Sequence, residues 1–275
     1  MNYEIILISI ASIVFLTTCN KDYPNPDTND CQDVIWAEGV YNDASSIMDE
    51  AAATGKLPLY CDVQTPQDLS ACASIKYQNL NLLDADTLIV DFGPSDCLCA
   101  DNRYRRGKIL AILTSAYYDS TNTSGVIIAF NGYYVNDNKV EGTKTVIVKG
   151  RNVTTSNYEF TSTVAGKITN RLAQTMTWNA TETKVVLNQT SYSSWYGATY
   201  SITGTASGSG FNGTNYSSSI TTALGLTGGC NYIESGIISV TPSGLTPRIL
   251  NFGSGACDRF IDVTLDGNHY NINQQ

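Results

Sequence analysis

Between Pro94 and Pro242 the chain contains no proline. Proline lacks an amide proton and is confined to sheet edges and bulges, so this whole stretch is free to form central strands. Strand-like segments recur through it: Lys108–Leu113, Val126–Phe130, Thr143–Val148, Tyr158–Val164, Thr175–Trp178, Lys184–Leu187, Tyr200–Thr205 and Tyr216–Thr222. Turn-forming residues separate them, at Asn136-Asp137-Asn138, Lys149-Gly150, Ala165-Gly166, Gly208-Ser209-Gly210 and Asn212-Gly213. Strands at such spacing with short turns predict an antiparallel meander. A meander of this length must bury one face. The expected fold class is therefore all-β, a sandwich or a strongly curved sheet.

One helix is predicted ahead of the strands, over Trp36–Ala53. Trp36, Val40, Ala44, Ile47 and Ala51 form a single apolar stripe. Thr54-Gly55 supplies a stop, and the stripe is expected to pack on the sheet. The organisation read from the chain is a signal segment over 1–18, a polar tether over 19–33, a helix and linker over 34–65, and an antiparallel β domain over 66–275.

The first residues read as an address. Ile5–Leu16 is a short apolar run, too short to span a bilayer and suited to a signal peptide. It ends in Leu16-Thr17-Thr18-Cys19, which resembles the bacterial lipobox, with Thr18 in place of the usual small residue and no basic residue in the opening Met1–Glu4. Cys19 is the expected lipidation site and the membrane the expected partner, since several acyl chains anchor a protein stably. Lys21-Asp22 resembles the short acidic export tag of Bacteroidetes surface lipoproteins.

Export places the eight cysteines, at 19, 31, 61, 72, 97, 99, 230 and 257, where disulfides form. Cys230 and Cys257 are equidistant from Ser243-Gly244, the centre of a turn behind Pro242, and a hairpin there would bring them face to face. Cys72 and Cys97 stand in the same relation to Asp84-Ala85. The two segments also match without gaps. Leu88–Cys97 and Arg248–Cys257 share an apolar strand, Asp or Asn, Phe-Gly, three residues, then Cys. This is an internal repeat of a stapled hairpin. Cys31, Cys61 and Cys99 remain, with Cys61–Cys99 the preferred third pair.

Composition narrows the chemistry. Charged residues make up 15% of the chain, against about 25% in an average domain. In their place stand 25 Ser, 31 Thr and 24 Asn, an uncharged polar surface. A net charge of −9 argues against nucleic acid, whose phosphates need Lys and Arg. The single histidine, His269, lies in a predicted turn, Asp266–Tyr270. No triad, metal cluster or cofactor motif is visible, so no catalytic residue, metal or cofactor is assigned and the chain is read as non-enzymatic. The one basic cluster, Arg103, Arg105, Arg106 and Lys108, is the candidate contact for an anion or acidic glycan. In an extended strand Arg103 and Arg105 would share one face, with Arg106 and Lys108 on the other.

Val90-Asp91-Phe92-Gly93, Cys97, Arg105–Ile109, Tyr133–Asn136 and Val140–Thr143, followed by Tyr200–Gly204, Cys230–Gly236 and Cys257-Asp258, resemble a family of β-rich Bacteroidetes lipoproteins without an assigned activity. The likeness runs from about residue 70 onward. It implies an exported protein, lipid-anchored in the outer membrane and exposed to the cell surface or the periplasm. The expected function is a binding or structural module with a glycan or protein partner. The alternatives are a surface glycan-binding protein and, last, a glycoside hydrolase using two carboxylates.

Overall fold

The computed structural model describes residues 27–55, 72–78, 87–114, 125–187, 198–228 and 230–274. The lipobox with Cys19 and the linker containing Cys61 lie outside them. The described residues form one helix, α1 (Asn29–Gly55), followed by β1 (Ser74–Tyr77), β2 (Thr87–Asp91), β3 (Cys97–Leu98), β4 (Tyr104–Leu113), β5 (Gly125–Val135), β6 (Asn138–Arg151), β7 (Tyr158–Thr169), β8 (Thr175–Val186), β9 (Thr199–Ser209), β10 (Asn215–Thr227), β11 (Ser235–Pro242), β12 (Arg248–Ser254), β13 (Phe260–Leu265) and β14 (Asn268–Asn273).

All 14 strands belong to a single antiparallel sheet in chain order. Only β3 leaves that order, taking up the line of β2 along β4 after residues 92–96. The sheet does not close, and β1 and β14 are its two ends. Between the two expected architectures the structure is therefore the curved sheet and not the sandwich. Strand alternation is clean: along β8, Met176, Trp178, Ala180 and Glu182 are buried, while Thr175, Thr177, Asn179 and Thr181 are exposed. Two of the expected turns join β5 to β6 at Asn136-Asp137 (φ 47° and 63°) and β13 to β14 at Asp266-Gly267 (φ 48° and 78°), the paired positive φ of type I′ hairpin turns.

The inner face wraps around α1. Tyr41 alone touches four consecutive strands. Its ring lies 5.8 Å from Phe130 on β5 and stacks 5.4 Å from Trp178 on β8. Its hydroxyl donates to the Glu141 carbonyl of β6 at 2.8 Å, and it lies against Gly166 of β7. The helix is accordingly buried on almost every side. The expected stripe is covered, with Trp36 half-buried, but so are Val34, Ile35, Ala37, Tyr41, Met48 and Ala52.

Three local readings need correction. The helix begins at Asn29, inside the segment read as tether. The Asp27 carboxylate accepts from the Asn29 N–H at 2.9 Å, and Gln32 closes the first turn on the Thr28 carbonyl at 3.0 Å. Lys149-Gly150, Ala165-Gly166 and Gly208-Ser209 are not turns but lie inside β6, β7 and β9. Gly150 sits in a bulge of β6, and Gly166 makes room for the helix. The hairpins carrying the cysteines are shifted in register. Ile237 faces Asn251 rather than Leu250, and Ser74 faces Asp91 rather than Ser95.

Both expected disulfides are nevertheless formed, with Cys72, Cys230 and Cys257 outside the strands and Cys97 at the start of β3. Cα–Cα distances are 6.0 Å for Cys72–Cys97 and 5.8 Å for Cys230–Cys257. The repeat extends to atomic detail. Asp91 and Asn251 each accept the N–H of the glycine two residues on, at 2.9 Å. Gly93 and Gly253 have φ of 81° and 83°, and Phe92 and Phe252 are both buried.

Candidate functional site

The inner face is not wholly apolar. Parity along β6, β7 and β8 points Lys144, Ser162, Glu182 and Lys184 toward the helix, on the same side as Val148, Phe160 and Trp178. There they meet Asn42, Ser45 and Asp49 of α1 around a cavity of about 60 Å³. Its walls are largely apolar, from Val126, Ile128, Val146, Val148 and Phe160.

The buried charges form one chain of contacts. Asn42 donates to Glu38 at 2.7 Å, and the Lys144 ammonium donates to Asn42 at 2.8 Å and to the Tyr41 carbonyl at 3.4 Å. Lys144 also lies 4.0 Å from Glu182, which accepts from Ser162 at 3.1 Å. Burial, then the neighbouring Glu182 charge, pushes Glu38 well above the usual carboxylate range, although Lys144 and Asn42 pull the other way. Glu38 thus stands beside a second carboxylate, Glu182, in a buried setting that favours its protonated form. A glycosidase pair stands about 5–9.5 Å apart with room for a sugar, a spacing these two do not have.

Lys184 is different. Its ammonium lies over the Tyr200 ring, 3.6 Å from the centroid, and among the described residues no carboxylate lies within 4.0 Å of it. Desolvation lowers its pKa to about 8, assisted by Lys144 and opposed by Asp49 and Glu182. Sequence reading assigned no role to this group, yet a signal was present. Glu182 and Lys184 share the parity of Met176, Trp178 and Val186, the apolar side of their strand.

The basic cluster has a different fate from an open cationic patch. Arg103 and Arg105 do share a face, and both turn inward. Arg105 is 0% exposed and pairs with Asp43 of α1 at 2.8 Å and with Asp101 at 2.6 Å. Arg103 lies 3.3 Å from Asp43. Arg106 pairs with Asp96 and Asp137 and covers the Tyr134 ring, and Lys108 pairs with Asp91 at 2.8 Å. All four cations are thus matched by the protein's own carboxylates.

At the other end of α1, Asp33 accepts the Phe211 N–H at 2.9 Å, and Asn212 donates to Asp30 at 3.3 Å. Burial raises Asp33 to about 6 against the pull of that N–H, with Asp30 adding to the rise. Cys31 and Cys99 are buried free thiols, and Cys61, the expected partner of Cys99, lies outside the described residues. Burial pushes Cys31 up to about 12 and raises Cys99 as well, which leaves both poor nucleophiles. Cys230, Glu234 and Cys257 lie close enough to share a metal, but the two sulfurs are bonded to each other. His269 is the second residue of β14, and its Nδ1 lies 2.9 Å from the Asp262 carboxylate.

The outer face carries hydroxyls in register. Thr145, Thr163, Thr181, Thr205, Ser219 and Ser239 face one another in sequence across β6 to β11. All but Thr145 line a broad groove of about 650 Å³, together with Asn179 and Ser207.

No protein-family model matches the chain, and comparison with curated proteins and with solved structures finds no match. Among the described residues no helix is long and apolar enough to cross a membrane. The two disulfides point to an oxidising or extracellular compartment.

Proposed function

We propose that the chain is an exported protein, lipid-anchored through Cys19 in the outer membrane or at the cell surface, that acts as a binding module. The observation that carries this reading is the pair of matching disulfide-stapled hairpins, since such bonds persist outside the cytosol. The sequence around Cys19 supplies the anchor. The outer hydroxyl face is the natural contact surface. It offers donors and acceptors without net charge, and so favours a neutral, hydrogen-bonding partner. The groove across β7 to β11 makes a glycan the second reading, because sugar hydroxyls match a row of Ser, Thr and Asn side chains.

The test is metabolic labelling with a radioactive fatty acid in a bacterial host. The wild-type chain should take up label and sediment with membranes, whereas Cys19→Ser should lose both properties. A wild-type chain that stays soluble and unlabelled would overturn the anchor. A glycan array probed with the purified protein decides the second reading, and an empty array removes it.

A further inference from the structure

We propose that Lys184 is the nucleophile of a carbonyl-capturing site, its amine forming a reversible imine with a small neutral aldehyde in the cavity between α1 and the sheet. The inference is independent of membrane anchoring and of the outer face.

Three observations carry it. The cavity has the right walls: Val126, Ile128, Val146, Val148 and Phe160 line it, and half-buried Asn42, Asp49, Val126, Val146 and Lys184 itself form its solvent-facing side. Among the described residues the amine has no ion-pair partner. It rests on the Tyr200 ring, with no carboxylate of the described residues within 4.0 Å, whereas its neighbour Lys144 is tied by Asn42, Tyr41 and Glu182. The balance of charge then selects the ligand. Asp49 and Glu182 offset Lys144 and Lys184, so the site holds no excess positive charge for an anion and suits a neutral carbonyl. A lysine desolvated in an apolar pocket beside a second cation is the usual arrangement for an amine nucleophile. Its pKa of about 8 leaves a usable fraction of free amine in mildly alkaline solution.

The step conserves atoms and electrons. The amine lone pair forms an N–C bond to the carbonyl carbon as the C=O pair moves onto oxygen. That oxygen leaves as water with the two amine hydrogens, and the C=N bond closes. Nothing is oxidised or reduced.

The experiment uses the full chain, butanal as the probe, and cyanoborohydride at pH 8 to trap the imine, with alkylated lysines mapped by mass spectrometry. Lys184 should be alkylated more than about tenfold faster than exposed Lys149 and Lys167, because each unit of pKa depression is tenfold in free amine. Lys184→Arg should remove the fast site. Val126→Trp, which narrows the mouth and leaves the lysine in place, should slow it by a similar factor. Labelling of Lys184 no faster than that of Lys149 overturns the proposal. Fast labelling that Val126→Trp leaves unchanged overturns the cavity as its location.

Discussion

Gly166 shows how much a single hydrogen atom decides. A Cβ there would stand 2.3 Å from the Tyr41 hydroxyl oxygen and 2.4 Å from the adjoining ring carbon. Tyr41 cannot swing aside, because its ring is held by Trp178 and Phe130 and its hydroxyl by Glu141. Gly166→Ala should therefore destabilise the protein by about 1–3 kcal/mol, the usual cost of overpacking. Urea denaturation measures it, and an unchanged midpoint would mean that the seat of the tyrosine is adaptable. Arg105 works at the same scale through charge. Burial alone would push Asp101 up, but its hydrogen bond and ion pair with Arg105 and the charge of Arg103 outweigh this, and its carboxyl lies below the usual range. Residues that read as a surface contact thus fasten the helix to β4, through Asp43.

The stapled hairpins are the elements that recur. In each, an Asx turn and a glycine with positive φ, at the end of β2 and within β12, lead on to a cysteine. The cysteine then returns to a partner 25 or 27 residues earlier. Closing a loop of that length stabilises a fold by about 3–4 kcal/mol in the chain-entropy model. The double variant Cys230→Ser, Cys257→Ser should lose about that much, read as a lower denaturant midpoint with the far-ultraviolet spectrum of the native sheet retained. A midpoint equal to wild type would show that the β11–β12 pairing holds itself without the bond.

Across the whole molecule, buried carboxylates give stability an acidic optimum. Asp33, raised from 3.8 to about 6, and Glu38, raised well above 4.5, prefer the protonated form when folded. A group with a raised folded pKa contributes stability that is complete below its unfolded value and is lost as pH rises through the folded one. Asp91, lowered chiefly by Lys108, and Asp101 behave in the opposite sense. Their contribution is present above 3.8 and is lost as pH falls through their depressed folded values. Lys184, lowered from 10.5 to about 8, contributes only in alkaline solution, and that contribution is lost as pH falls through about 8. The melting temperature should therefore be higher at pH 5 than at pH 7.5, and Asp33→Asn should raise it at pH 7.5 and flatten the difference. A melting temperature that climbs steadily from pH 5 to pH 7.5 would contradict this balance.

Local chemistry made much of this legible. Proline-free alternation specified the antiparallel meander, Asn-Asp and Asp-Gly pairs specified turns, and spacing from turn centres named both disulfides, because each is set by residues close together in the chain. Register was harder, since β1–β2 and β11–β12 carry turn geometry that symmetry about a loop centre does not fix. The inward lysines and glutamates sit on the apolar parity of their strands, but their purpose depends on which helix residues arrive opposite them. That is a matter of long-range packing. The same holds for Gly166, which reads as a turn until Tyr41 is placed against it, and for Arg105, whose carboxylate on α1 lies 62 residues away. Sequence determined that the chain makes a stapled, curved sheet. Only the wrapping of that sheet around its helix decided which charges are buried together, because burial and pairing are properties of neighbours in space.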